Sequence, residues 1–200
     1  KRGMRWKPDW KIIAELFRFG LPTGVQGMMV NFGGVLLLRF IGSLPSSAEA
    51  QAAYTIGYTQ LFSLITWTSV GLMGATAAVA GQNLGAKQPD RAASAPWDAA
   101  KIGLILASVI GAIFITIPEL LLALFGMVEP TVVELGIQLL TFLGISGLFI
   151  TVALSFTGGL QGTGDTKSPM YISIIAQVVV PIGICLCLDL IYGLEAIHVW

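Results

Sequence analysis

Charge is scarce in this sequence. Only 11% of its 200 residues are Asp, Glu, Lys or Arg, whereas a soluble domain carries about 25%. That is too little to coat a water-facing surface. Acidic and basic residues balance at eleven each, so no net charge draws the chain toward nucleic acid or acidic partners. Cysteine is nearly absent. Cys185 and Cys187 stand two positions apart in one apolar stretch. On a helix they point in different directions, which argues against a disulfide or a two-thiolate site. The single histidine, His198, has no companions to build the three or four ligands a zinc site needs. No Ser-His-Asp, zinc or P-loop constellation can be assembled, so an enzyme is disfavoured and no metal is expected. No signal-peptide pattern opens the chain. It starts at Lys1 and stops at Trp200 as an apolar stretch begins, which reads as an excerpt of a longer protein.

What the sequence has instead is apolar length. Hydrophobic residues make up 55% of it and the mean hydropathy is +0.82. Five apolar stretches, near 20–42, 52–80, 99–124, 132–160 and 169–192, each reach the ~20 residues that a membrane-spanning helix needs. The expected class is an all-α membrane protein, a bundle of five transmembrane helices. Residues 1–18 differ. Lys1, Arg2, Arg5, Lys7, Lys11 and Arg18 supply charge, and Trp10, Ile13, Leu16 and Phe17 an apolar stripe. This reads as a basic amphipathic segment on the membrane surface, leading into a transmembrane unit over 19–200.

Caps signpost the helix starts. Asp9 is placed to cap the first. Ser46 with Glu49, and Thr131 with Glu134, have capping-box spacing before the second and fourth. Ser94 and Pro96 are expected to open the third, and Ser168-Pro169 the fifth. Ten of the eleven Lys and Arg fall before residue 20, within or beside 81–98, or in 161–168; only Arg39 lies toward the opposite side. The positive-inside rule then puts the N-terminus in the cytoplasm of a multi-pass cell-membrane protein.

Within the helices, Gly20 and Gly24, Gly71 and Ala75, and Gly158 and Gly162 repeat at four-residue spacing, as close packing in lipid requires. Pro118 and Pro181 interrupt apolar runs and predict bends. Polar side chains at depth cost energy unless paired. Gln26 and Asn31 are open to two readings, interhelical hydrogen bonding or lining a cavity. Tyr54 and Tyr58, one turn apart, fit either an aromatic belt or a cavity face, and Gln60 follows them. Gln26, Asn31, Tyr58 and Gln60 are the cavity candidates. Gly81, Asn83 and Gly85 read as the end of a helix, and Gly162, Gly164 and Asp165 as a tight, locally capped turn.

Three strings carry a resemblance. Phe19-Gly20-Leu21-Pro22 opens the first span, Ala80-Gly81-Gln82-Asn83-Leu84-Gly85-Ala86-Lys87 closes the second, and Gly158-Gly159-Leu160-Gln161-Gly162-Thr163-Gly164-Asp165 closes the fourth. In order and spacing they resemble the second lobe of the multidrug and toxic compound extrusion (MATE) family, over helices seven to eleven of a twelve-helix, two-lobe protein. The resemblance implies a secondary antiporter. It would export organic, often cationic compounds in exchange for Na+ or H+, by alternating access, with no cofactor beyond the coupling ion. Its partners would be membrane lipid, a small organic cation and a first lobe of the same chain, with no nucleic acid. Where some members place carboxylates in the seventh and tenth helices, this chain offers Gln26 and Asn31, then Thr151 and Ser155. Neutral groups cannot carry a proton as a carboxylate does, so coupling is expected mainly in the first lobe. A lipid-linked oligosaccharide flippase of the same superfamily is one alternative, and a non-transporting membrane scaffold is another.

Overall fold

The computed structural model describes residues 8–44, 46–191 and 199. The first four basic residues, Glu195 and His198 lie outside them. Within the described residues the chain is an all-α membrane protein. Five helices are long and apolar enough to cross a bilayer: α1 (Trp10–Gly42), α2 (Ser47–Gly85), α3 (Pro89–Thr116), α5 (Pro130–Gly162) and α6 (Lys167–Ile191). A short α4 (Pro118–Leu124) lies between α3 and α5.

From Trp10 on, the amphipathic segment and the first span form one unbroken helix. Asp9 caps it by accepting the Lys11 N–H at 2.9 Å. Pro22 lies inside α1. The other starts differ from the capping spacings read in the sequence. Ser46 stands at the N-cap of α2, but its side chain makes no capping bond. α3 begins at Pro89, so Ser94 and Pro96 fall inside it. α5 is capped by Glu129, whose carboxylate accepts the Val132 N–H at 3.0 Å, with Pro130 in the first turn. Asp165 caps α6 by accepting the N–H groups of Lys167 and Ser168 at 3.2 and 3.0 Å. In both cases a carboxylate at the positive end of a helix outcompetes a hydroxyl a residue or more further on. Pro118 does not bend a helix; it opens α4 after α3 has ended at Thr116.

α5 is the central helix. A Cβ built on Gly57 or Gly147 would press on Leu139 and Ile65, and one built on Gly81 would sit 2.8 Å from the Gly162 carbonyl oxygen. With the Ser69–Thr151 bond, these contacts show α2 and α5 running parallel in one constant register. α3 runs antiparallel to α5. Pro96 meets Gly159, Gly103 meets Thr151, and Gly111 meets Gly144. Small residues let these backbones approach closely. α1 packs instead on α6, also in parallel: Gln26 on Ser173, then Gly33 on Gln177 and Val178.

Two of the spans change winding midway. α2 is π-helical over Thr55–Leu61, where the Phe62 N–H reaches back five residues to the Gly57 carbonyl at 2.9 Å. α6 is π-helical over Ile175–Val179, and the Val180 N–H bonds to the Ile175 carbonyl. The second has a visible cause. Pro181 cannot donate to the Gln177 carbonyl and its ring crowds that oxygen, so the turn before it widens. In the first, the Thr55, Thr59 and Ser63 hydroxyls donate to the carbonyls of Gln51, Thr55 and Gln60 and compete with the α-helical ladder.

Candidate functional site

Both π-helical segments border the same cavity. It lies between α1, α2, α5 and α6 and has a volume of about 290 Å³. π-turns inside α-helices recur at functional sites because they re-aim side chains out of helical register. Here the first contributes Tyr58 and the second Gln177. Pro181 lines the cavity as well, and Gly33 and Gly34 of α1 form a wall without side chains. Ser146, Leu139, Leu143 and Ile150 come from α5.

One wall is an aromatic ladder. Tyr54 and Tyr58 stack with ring centroids 4.9 Å apart and planes 10° from parallel. Tyr58 meets Phe62 at 5.6 Å. Their four-residue spacing keeps all three on one side of α2, and all three line the cavity. Tyr54 and Phe62 are buried while Tyr58 is 41% exposed, so the middle ring is the accessible one. Such rings offer π faces to a cation, and Gln177, which lines the same cavity from α6, carries both a donor and an acceptor.

The four cavity candidates separate in the fold. Tyr58 lines this cavity. Gln26 lies in a polar knot: its amide donates to the Ser173 hydroxyl at 2.6 Å and its carbonyl oxygen accepts from the Gln161 amide at 3.4 Å. Asn31 donates to the Gly27 carbonyl of its own helix at 2.8 Å and is exposed. Gln60 is exposed, on the π-helical segment of α2. The residue that spacing alone did not single out is Gln177. Its signal was the proline four positions later.

The glycine motifs come together at the opposite end of these helices. Gly81 packs on Gly162, so the two motifs touch backbone to backbone. Gly164 takes φ +98°, with its Cβ position 3.6 Å from the Phe19 ring, which joins the third string to the other two. In the turn, the Asp165 N–H bonds to the Leu160 carbonyl at 2.9 Å and the Gly164 N–H to the Gln161 carbonyl at 3.1 Å. This is a Schellman closure. Asn83 donates to the Val79 carbonyl at 2.8 Å. Gly85 ends α2, but the left-handed residue of that turn is Lys87, at φ 59°.

Five apolar spans, four of them around an aromatic-walled cavity and two with winding defects, define a multi-pass membrane protein with a ligand-sized space between its helices. The model of the MatE family matches residues 22–187, and the chain belongs to that family. It is 28% identical to the probable multidrug resistance protein NorM of Brucella suis biovar 1 over 99% of this chain and 42% of that protein. It is 25% identical to the probable NorM of Thermotoga maritima, over 84% of this chain and 36% of the relative. The multidrug export protein MepA of Staphylococcus aureus is 23% identical over 97% of this chain and 42% of its own length. The chain thus spans about two fifths of the curated relatives it matches.

Proposed function

We propose that this chain is one lobe of a secondary antiporter that exports small organic, often cationic compounds in exchange for Na+ or H+. The observation that carries this reading is the cavity between α1, α2, α5 and α6, lined by the aromatic ladder of α2 and by Gln177 of α6, each helix having a π-helical segment there. Its volume, about 290 Å³, is at the small end of small-molecule sites, as befits one wall of a space completed by a second lobe. An organic cation would lie over the Tyr58 ring and hydrogen-bond to Gln177. Asn31 and Gln60, exposed on α1 and α2, would face the space between lobes, and Gln26 would join the packing that holds α1 to α5 and α6. The π-helical segments are the points at which α2 and α6 would flex during alternating access. The N-terminal end of α1 and the loops at Lys87 and Lys167 would lie in the cytoplasm.

The test uses the complete protein in liposomes loaded with a cationic dye. A sodium gradient and, separately, a proton gradient are imposed while dye movement is followed. Movement driven by either gradient supports an antiporter and identifies its ion. No movement under either, with the protein shown to be folded, overturns the proposal and makes lipid-linked sugars the next substrates to try. Single cysteines at Gln26, Asn31, Tyr58 and Gln60, in a background lacking Cys185 and Cys187, should react with water-soluble thiol reagents at every position but 26. Cysteines at Lys87 and Lys167 should react only from the cytoplasmic side, and reaction from the outside would reverse the orientation.

A further inference from the structure

A second crevice lies between the last turns of α1 and residues 182–189 of α6. Its volume is about 400 Å³, and Arg39 and Asp189 both line it. The two helices run in parallel, so these charges stand at the same membrane boundary. Arg39 is in the last turn of α1, where a cation complements the helix dipole. Asp189 lies on α6, on the same crevice wall as Ile182 and Leu186. Yet the ion pair found among the described residues is Lys101–Asp98, and Arg39 and Asp189 stay apart across the opening. Between them the walls are Phe40, Ile182 and Leu186, with the Ser43 hydroxyl at the rim.

An anion site, a cation site and an apolar floor in one crevice at the bilayer edge match one chemistry. We propose that this crevice binds a zwitterionic phospholipid, whose headgroup joins a phosphate to an ammonium. The phosphate meets the Arg39 guanidinium, which can bind it through two parallel N–H donors. The ammonium meets the Asp189 carboxylate. The glycerol and upper acyl chain lie along Phe40, Ile182 and Leu186. A purely anionic lipid satisfies Arg39 but sets negative charge beside Asp189, so the crevice discriminates between headgroups. Among the described residues, Arg39 is the one basic residue away from the Lys- and Arg-rich end of the bundle. Ile182 lines both this crevice and the cavity walled by Tyr58 and Gln177, but the lipid proposal does not rest on the transport reading.

The complete protein, purified in mild detergent, is titrated with phosphatidylethanolamine and with phosphatidylglycerol of identical acyl chains, and bound lipid is counted by native mass spectrometry. Wild type should retain phosphatidylethanolamine about three- to tenfold better, the scale of one interfacial ion pair. Asp189→Asn should abolish that preference and Asp189→Glu should keep it. Arg39→Gln should weaken both lipids relative to diacylglycerol. Equal retention of both lipids by wild type overturns the proposal. So does an Asp189→Asn variant that loses both lipids alike, because the carboxylate would then act only on the fold. Competition by glycerophosphoethanolamine as strong as by the intact lipid also overturns it, because the apolar wall would then contribute nothing.

Discussion

Gln26, Asn31 and Gln60 carry the same amide chemistry and end in three different situations. One bridges three helices, one bonds its own backbone, and one is exposed on a π-helical turn. The sequence marked all three as costly in lipid but could not say which would be paired. That depends on the rotation of each helix about its axis. In a bilayer this rotation leaves little periodic trace, because lipid tails are as apolar as a neighbouring helix. Tyr58 is the residue on which the cavity reading turns. Tyr58→Ala should raise the KM for a cationic dye in the complete protein several-fold and leave KM for an uncharged substrate nearly unchanged, since a cation–π contact contributes about 0.5–2 kcal/mol. The buried Ser69–Thr151 pair, 2.8 Å apart, plays a structural part. Thr151→Val keeps the shape and removes the hydroxyl, and should lower stability by only about 0.6 kcal/mol, read as a small drop in detergent melting temperature.

At the scale of elements, the number of long helices followed from hydropathy and length, while their starts, apart from the Asp9 cap, did not. Ser46 was marked by its spacing to Glu49 and makes no capping bond, whereas Glu129 and Asp165 carry caps. A spacing rule sees the residue types and not the geometry of the preceding turn, which Pro130 and Gly164 set here. The two π-helical segments were equally hidden. Pro181 advertised a disturbance in α6, but nothing comparable marks Thr55–Leu61. Asp165 offers a direct check on its cap. The Ser168 hydroxyl, then the Ser168 and Lys167 backbone N–H groups, hold its carboxyl below the usual carboxylate range. A depressed folded-state pKa stabilises above the unfolded value, about 3.9, and that contribution is lost as pH falls through the folded value. Asp165→Ala should therefore melt below wild type at pH 7, with a gap that is steady down to about pH 5 and closes in stronger acid. A gap unchanged down to pH 2 would refute the assignment.

The whole molecule divides unevenly. α2, α3 and α5 interlock through glycines whose Cβ positions are already filled by a neighbour's backbone. α1, by contrast, has nothing within 4 Å of the Cβ positions of Gly20, Gly24 and Gly27. Four-residue glycine spacing was legible on both, yet Gly71 of α2, read with Ala75 as a packing position, also has nothing within 4 Å of its Cβ position, so only the fold separates the face in use from the face left open. Gly111→Val, which drives a side chain toward the Gly144 carbonyl at a Cβ distance of 2.8 Å, should destabilise the bundle by about 1–3 kcal/mol. Gly24→Val should leave the melting temperature of this five-helix unit unchanged. Equal loss from both substitutions would mean that α1 is packed as tightly as the rest.

The polar knot that anchors α1 also sets a timetable for biogenesis. Gln26 and its partner Ser173 are 147 residues apart. At a ribosomal pace of about 5–20 residues per second, α1 enters the bilayer roughly 7–30 s before Ser173 is made. For that interval the Gln26 amide must find water, lipid headgroups or the insertion machinery, because neither Gln161 nor Ser173 yet exists. α1 thus docks onto α6 only after the spans between them have been made. A pause or truncation before α6 would leave the interlocked α2, α3 and α5 with α1 loosely attached, the form that membrane quality-control proteases are best placed to extract.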